Sequence, residues 1–440
     1  MSIKFIQGIF ISLSISLLAV FLYEQVSAQD SQGLNNELVE FEIEGDADDR
    51  ITIPFELINN LVVIEASING SEPLKFILDT GVSKTLITSI PAGEGIYVER
   101  SRTVTLSGLG AGEAIEAYFS AGNDVNIERV TGKNMDILFL KEDIFNLSSF
   151  MGTNVHGLIG YDLFSNFAVE VNYRTKEILL YHPDSFVQKF KDLPKHRKWH
   201  KIPISIEEKK AYVEVSFKHM PGSKAVPLKL IIDSGSSNAF SLYHLSHDEI
   251  VIPESRIETL IGVGLSGKVH GYLGRAQEIE LGGMKFNTPI IAYPDSTSIR
   301  KAIGVGERNG SLGGEVLRRF KVIFHYPNSA LYLRKNRDFD DDFNYNMSGI
   351  ELNTPFPNIP FYVVSEVRED SPAAEKGVKA GDAIKYVDGE RATDMNLNEM
   401  IYYLQKREGR KVQIGIQRDS LFKYISISLD NKLTVDEPRN

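Results

Sequence analysis

The chain has 440 residues, a formal net charge of −11 and no cysteine. An acidic balance argues against a nucleic-acid binder, which carries a basic footprint. The lack of cysteine excludes disulfides, thiolate metal sites and thiol nucleophiles, while 42% hydrophobic and 24% charged residues suit a folded chain of about three domains.

The first element is an address. Lys4 precedes an apolar run from Phe5 to Tyr23, and the small-residue site Val26-Ser27-Ala28 follows. This pattern predicts a signal peptide over residues 1–28 and an exported chain, periplasmic or secreted. Left uncleaved, the same run is long enough to anchor the chain in a membrane.

The body of the chain then repeats itself. Phe76-Ile77-Leu78-Asp79-Thr80-Gly81-Val82-Ser83 is matched by Leu230-Ile231-Ile232-Asp233-Ser234-Gly235-Ser236-Ser237. Each copy is a short apolar strand that stops at Asp-Thr/Ser-Gly. About 80 residues later each copy has a second glycine, in Gly157-Leu158-Ile159-Gly160 and in Gly310-Ser311-Leu312-Gly313. A strand-turn-strand pattern closes each unit, over 167–181 and 320–333, and turns near Asn69-Gly70 and Pro221-Gly222 mark a hairpin ahead of each Asp. Residues 46–185 and 201–337 therefore read as two copies of one mostly β unit, joined by a linker at 186–200. One Asp-Thr/Ser-Gly is a plain turn signal; two copies with matched downstream glycines are not reached easily by accident.

These residues resemble the lobes of retropepsin-like and pepsin-like aspartic proteases, over about 290 residues. The resemblance implies a two-lobed acid-protease β-barrel fold on a single chain, so that a monomer suffices. It implies a catalytic pair, Asp79 and Asp233, supported by the loop residues Thr80, Gly81, Ser234, Gly235 and Ser236. Thr80 and Ser234 would tie the two loops across the lobe interface, and Gly160 and Gly313 would lie behind them. Two adjacent carboxylates hold one proton between them and activate a water for attack on a peptide bond. Neither a metal nor a cofactor is implied. Ser236 can donate to Asp233 and favour its charged form, whereas Val82 cannot do so for Asp79, so Asp79 is the expected holder of the proton. A hairpin that closes over substrate is the family's other feature. Gly108 and Gly110, within Ser107-Gly108-Leu109-Gly110-Ala111-Gly112, are its candidate residues, and Gly262-Val263-Gly264-Leu265-Ser266-Gly267 holds the equivalent place in the second copy.

After lobe two, Asp338-Phe339-Asp340-Asp341-Asp342 reads as a solvated acidic linker. Beyond it, Phe361 to Val367 alternates as a strand. Ser371-Pro372 starts a short helix as N-cap and N1, and Gly377 ends it. Gly381-Asp382 and Asp388-Gly389 bracket another strand. Leu397, Met400, Ile401 and Leu404 mark an amphipathic helix, and two alternating strands close the module. Residues 345–432 resemble a bacterial-type PDZ domain, most specifically in Asp370-Ser371-Pro372-Ala373-Ala374 and Gly377-Val378-Lys379-Ala380-Gly381-Asp382. The resemblance implies a small α+β fold that adds a peptide ligand as a strand, with the binding loop expected near Pro360, Phe361 and Tyr362.

The pair His244 and His247 with Asp248 lacks a third ligand and reads as surface. The partners expected are therefore a peptide or protein substrate and a PDZ peptide ligand, without nucleic acid. The function that follows is an aspartic endopeptidase. The competing readings are a catalytically weak or inactive peptide-binding protein, and a scaffold organised by its PDZ domain.

Overall fold

The computed structural model describes residues 39–438 apart from 40, 46–49, 91–95, 97, 100–101, 193–197, 304–306 and 406. The expected signal peptide, residues 1–28, lies outside the described residues. Among them, no helix is long and apolar enough to cross a membrane.

The fold is mostly β, in two compact units. The larger comprises the two lobes, with residues Val155–Phe343 and Leu433–Asn440 among its parts. Lobe one is built on a nine-stranded sheet and lobe two on a ten-stranded sheet. In each, a hairpin delivers the Asp: Leu61–Ile68 pairs with Leu74–Leu78, and Lys210–Lys218 pairs with Val226–Asp233. A short strand then returns parallel to the Asp-bearing strand. Gly157–Ile159 pairs with Phe76–Leu78, and Gly310–Gly313 pairs with Leu230–Asp233. Parallel neighbours on a buried sheet require apolar side chains on both faces, and Phe76, Ile77, Leu78, Leu230, Ile231 and Ile232 are all buried. The runs Phe-Ile-Leu and Leu-Ile-Ile thus serve as central strands, not as half-exposed ones.

The two strand-turn-strand segments do more than close each lobe. Ala168–Asn172 pairs with Phe320–His325 antiparallel, so both segments join one six-stranded sheet that runs through both lobes. The sheet is flanked by Ile51–Pro54 at one edge and His200–Pro203 at the other.

The acidic stretch after lobe two is not a solvated linker. Arg319 is fully buried. It pairs with Glu315 at 2.8 Å, donates to the carbonyls of Phe339, Asp341 and Asp342, and lies 3.8 Å from the ring centre of Phe343. Backbone carbonyls bind Arg319, and the Asp338 and Asp341 side chains pair with Arg174 and Arg318, each at 3.2 Å. Arg275 ties two further parts of the larger unit. Its Nη2 donates to the Phe343 carbonyl at 3.1 Å and its Nε to the Leu433 carbonyl at 3.2 Å.

The second unit contains Asn344–Lys432 and, unexpectedly, Asn146–Asn154 from within the first repeat. Its sheet runs Ile350–Asn353, Tyr362–Val367, Ala383–Val387, Lys411–Arg418, Leu421–Ser428, with Glu390–Arg391 paired beside the third strand. The short helix Pro372–Glu375 is capped as expected, the Ser371 hydroxyl accepting from Ala374 N–H at 3.2 Å. On the helix Leu397–Gln405, Leu397, Met400 and Leu404 are buried. The inserted segment forms the helix Leu147–Met151. The Ser149 carbonyl accepts from Thr354 N–H at 2.9 Å and from Thr354 Oγ1 at 2.6 Å, and the Gly152 carbonyl accepts from Asn358 N–H at 3.0 Å.

Candidate active site

Asp79 and Asp233 end their strands in the buried interior, each with 0% exposure. Their loops are tied by a reciprocal set of hydrogen bonds. Thr80 N–H donates to Ser234 Oγ at 3.0 Å, and Ser234 N–H donates to Thr80 Oγ1 at 2.9 Å. Each hydroxyl then donates onward across the interface, Thr80 to the Ile232 carbonyl at 2.7 Å and Ser234 to the Leu78 carbonyl at 2.8 Å. Four buried bonds thus fix one loop against the other, and the residues named from the sequence, Thr80 and Ser234, make all four.

The glycines have a steric role. Gly81 N–H donates to Asp79 Oδ1 at 2.7 Å. A Cβ on Gly81 would stand 3.0 Å from Asp79 Oδ1 and 3.2 Å from Asp233 Oδ1, so both carboxyl groups face one small volume. At Gly235 a Cβ would be 2.3 Å from Cγ and Oδ2 of Asp79; no side chain fits there. Behind the loops, Asp79 N–H donates to the Ile159 carbonyl at 2.8 Å, next to Gly160, and Gly313 N–H donates to the Ala239 carbonyl at 2.9 Å.

Burial pushes the Asp79 carboxyl from 3.8 up to about 7, against the Gly81 and Gly235 amides, Asp233 and Lys210, all of which favour ionisation. A desolvated acid in contact with a second carboxyl keeps its proton. Lys210 is a participant that motif reading missed. It begins the strand paired with the one that carries Asp233, is 3% exposed, and lies within electrostatic reach of both aspartates. Its only sequence signal is its place opposite Asp233 on the hairpin.

The two glycine-rich hairpins meet at their tips. Gly112 N–H donates to the Ser266 carbonyl at 2.6 Å, Ser266 N–H to the Leu109 carbonyl at 2.9 Å, and Gly108 N–H to Ser266 Oγ at 3.3 Å. Gly110, with φ of +123°, donates to the Ser298 carbonyl at 3.1 Å, and any Cβ on it would strike Ser266. Leu109 enters lobe two's core beside Tyr212, Ile231 and Tyr243. In the second hairpin the turn is shorter than the glycine spacing suggested, because Gly262 and Gly264 lie in the strand Arg256–Gly264 and only Leu265 and Ser266 form the tip.

In the second unit, Pro360 is exposed and Phe361 half-buried. Tyr362 is buried and donates from its hydroxyl to the Met395 carbonyl at 2.7 Å. These three residues open an inner strand, paired on both sides. The sheet's edges are Ile350–Asn353 and Leu421–Ser428, and the first is preceded by Gly349 at φ +78°, where a Cβ would clash with Ser371. A strand-adding ligand needs an unpaired edge, and the strand that Pro360, Phe361 and Tyr362 lead into has none. Asp382, read as a turn residue, is fully buried. Burial opposes its charge, but Arg418, at 2.6 and 2.8 Å, and the Lys379 N–H hold it below the usual range.

Known proteins match the same two regions. The aspartyl-protease family model matches residues 64–163, and the PDZ-domain model matches residues 347–429. A carboxy-terminal-processing protease from Bartonella bacilliformis is 29% identical over 101 residues, 23% of this chain and 23% of that protein, so the chain spans under a quarter of that relative's length. Among solved structures, an aspartic proteinase from Irpex lacteus aligns at 12% identity and a TM-score of 0.39, over 67% of this chain and 99% of its own. Residues 64–163 belong to the aspartyl-protease family, and residues 347–429 are a PDZ domain.

Proposed function

We propose that this protein is an aspartic endopeptidase whose reactive pair is Asp79 and Asp233. The observation that carries this reading is the convergence of two buried carboxyls on one point, with loops locked together by four hydrogen bonds. Asp79, held protonated by burial, donates to the substrate carbonyl oxygen. Asp233 takes a proton from a water as that water's oxygen bonds to the carbonyl carbon. The tetrahedral adduct collapses when Asp233 returns its proton to the nitrogen, the C–N bond breaks, and Asp79 recovers its own proton. The interlocked hairpin tips must part to admit a peptide, since the N–H groups of Gly108, Gly112 and Ser266, together with Leu109, hold them together. The PDZ edge strand Ile350–Asn353 takes an extended peptide, from the substrate or a partner. The apolar run Phe5 to Tyr23 and Val26-Ser27-Ala28 support export of the mature chain.

The test is to incubate residues 29–440 with a diverse peptide mixture from pH 4 to 9, with and without a metal chelator, and to read products by mass spectrometry. Cleavage that persists in chelator and disappears in Asp79→Asn and Asp233→Asn is the expected result. Cleavage that survives either substitution, or stops with chelator alone, contradicts the reading.

A further inference from the structure

The lobes share a ladder but not what lines it. In lobe one the last ladder pair ahead of the Asp is Val63 with Ile77, and two residues further in that register Leu61 stands opposite Asp79. In lobe two the corresponding pair is Tyr212 with Ile231, and Lys210 stands opposite Asp233. Both positions begin the same kind of tight turn, Leu61 pairing with Ile58 and Lys210 with Glu207. Side chains opposite one another on a ladder share a face. A second difference lies on the returning strand. His156 N–H donates to the Lys75 carbonyl, and Asn309 N–H donates to the Lys229 carbonyl, both at 2.8 Å. One residue before each stand Val155 and Arg308. The duplicated framework therefore carries Leu61 and Val155 in lobe one but Lys210 and Arg308 in lobe two, all four buried.

The two cations belong to one cluster. Arg308 lies 5.4 Å from the Tyr243 ring centre and acts electrostatically on Lys210, Tyr212 and Tyr243. Burial, with Arg308 adding to it, lowers Lys210 to about 8, while Glu208, Asp79 and Asp233 oppose the fall. Buried cations are costly to keep unless they meet negative charge, and these two stand at lobe-two positions whose lobe-one counterparts are aliphatic. Lobe one shows that the fold stands with aliphatic residues at both positions.

We propose that Lys210 and Arg308 form an anion-reading subsite, so that substrates carry a Glu or Asp side chain on the lobe-two side of the scissile bond and an apolar residue on the lobe-one side. This rests on the peptidase reading above and assigns its substrate class. A carboxylate that reaches both cations gains charge-assisted hydrogen bonds in a water-poor site.

The experiment has two arms on residues 29–440. In the first, a random peptide library with amidated C-termini is passed over the immobilised Asp79→Asn chain, over the same chain with Lys210→Met, and over it with Lys210→Arg. Retained peptides are sequenced, and those common to all three are subtracted. The expected result is enrichment of Glu or Asp at one position by about tenfold or more, lost with Lys210→Met and kept with Lys210→Arg. In the second arm the unsubstituted chain cleaves the same library. Acidic enrichment without cleavage keeps the subsite and removes the peptidase. Cleavage or retention without acidic enrichment, or enrichment unchanged by Lys210→Met, overturns the subsite. Neither retention nor cleavage overturns both.

Discussion

Lobe one and lobe two are alike where they place an aspartate and unlike where they surround it. The likeness reaches individual side chains. Lys75 N–H donates to His156 Nδ1 at 3.0 Å, and Lys229 N–H donates to Asn309 Oδ1 at 2.9 Å. Lys75 pairs with Glu56, and Lys229 with Glu207, each at 2.6 Å. Thr88 N–H and Tyr243 N–H donate to the equivalent carbonyls of His156 and Asn309, both at 2.8 Å. Around that frame, Lys210 in lobe two replaces Leu61 of lobe one, Arg308 replaces Val155, and Ser236 replaces Val82. A buried backbone group must find a partner, so the scaffold tolerates little change. Lining side chains are free to diverge, and they carry specificity and proton affinity.

The largest expected asymmetry is in stability. Asp79 is raised from 3.8 to about 7 by burial. Below pH 3.8 it is protonated in both folded and unfolded chains and costs nothing. Between pH 3.8 and about 7 the unfolded chain ionises while the folded chain keeps the proton, so stability falls across that window and levels off above it. Asn cannot ionise, so Asp79→Asn should be more stable by up to about 4 kcal/mol at pH 8, with the difference vanishing near pH 4. Thermal melts across that range check this, and equal melting points at pH 8 would show that Asp79 is not held protonated.

The loop glycines should differ next. Gly235→Ala pushes directly into the Asp79 carboxyl and should lower cleavage about 100-fold, as a displacement of about 1 Å does. Gly81→Ala, with 3.0 Å of room, should lose only a few-fold. Steady-state rates on one peptide decide it, and equal losses would mean that the loops are not held as described.

The tie between lobes should be balanced. Thr80→Val and Ser234→Ala each remove two buried hydrogen bonds, at about 1–3 kcal/mol apiece. The double variant should lose less than the sum, because the groups share one network. Urea unfolding measures all three, and strict additivity would argue against a shared network.

The smallest effect is on the pH profile. Activity should fall above pH 7 as the shared proton leaves. Lys210 favours ionised Asp79, so Lys210→Met should move that limb upward by a few tenths of a pH unit to about one, while Leu61→Met should not move it. A downward shift with Lys210→Met would reverse the sign of the assigned interaction.

Both lobes, both aspartates and the Thr80–Ser234 tie were legible in the sequence, because a strand that ends in Asp-Thr/Ser-Gly leaves a local trace and its repetition removes ambiguity. The central sheet was not: its strands were visible, but the pairing of Ala168 with His325 is a long-range register that no local pattern records. Arg319 was invisible for a related reason, since its partners are mostly carbonyls. The segment Asn146–Asn154 reads as part of lobe one because chain order places it there, yet its hydrogen bonds go to Thr354 and Asn358. In the PDZ domain the caps at Ser371 and Gly377 were legible from local chemistry. The edge strand was not, because which strand lies at an edge depends on pairing rather than propensity.

The central claim is that the two lobes contribute one acid–base unit rather than two separate groups. Single-turnover cleavage by Asp79→Asn, Asp233→Asn and the double variant, on one peptide at pH 5.5, tests it most directly. The account predicts that each single substitution removes as much activity as both together. A single variant that retains substantial cleavage, with a further loss in the double, would contradict it.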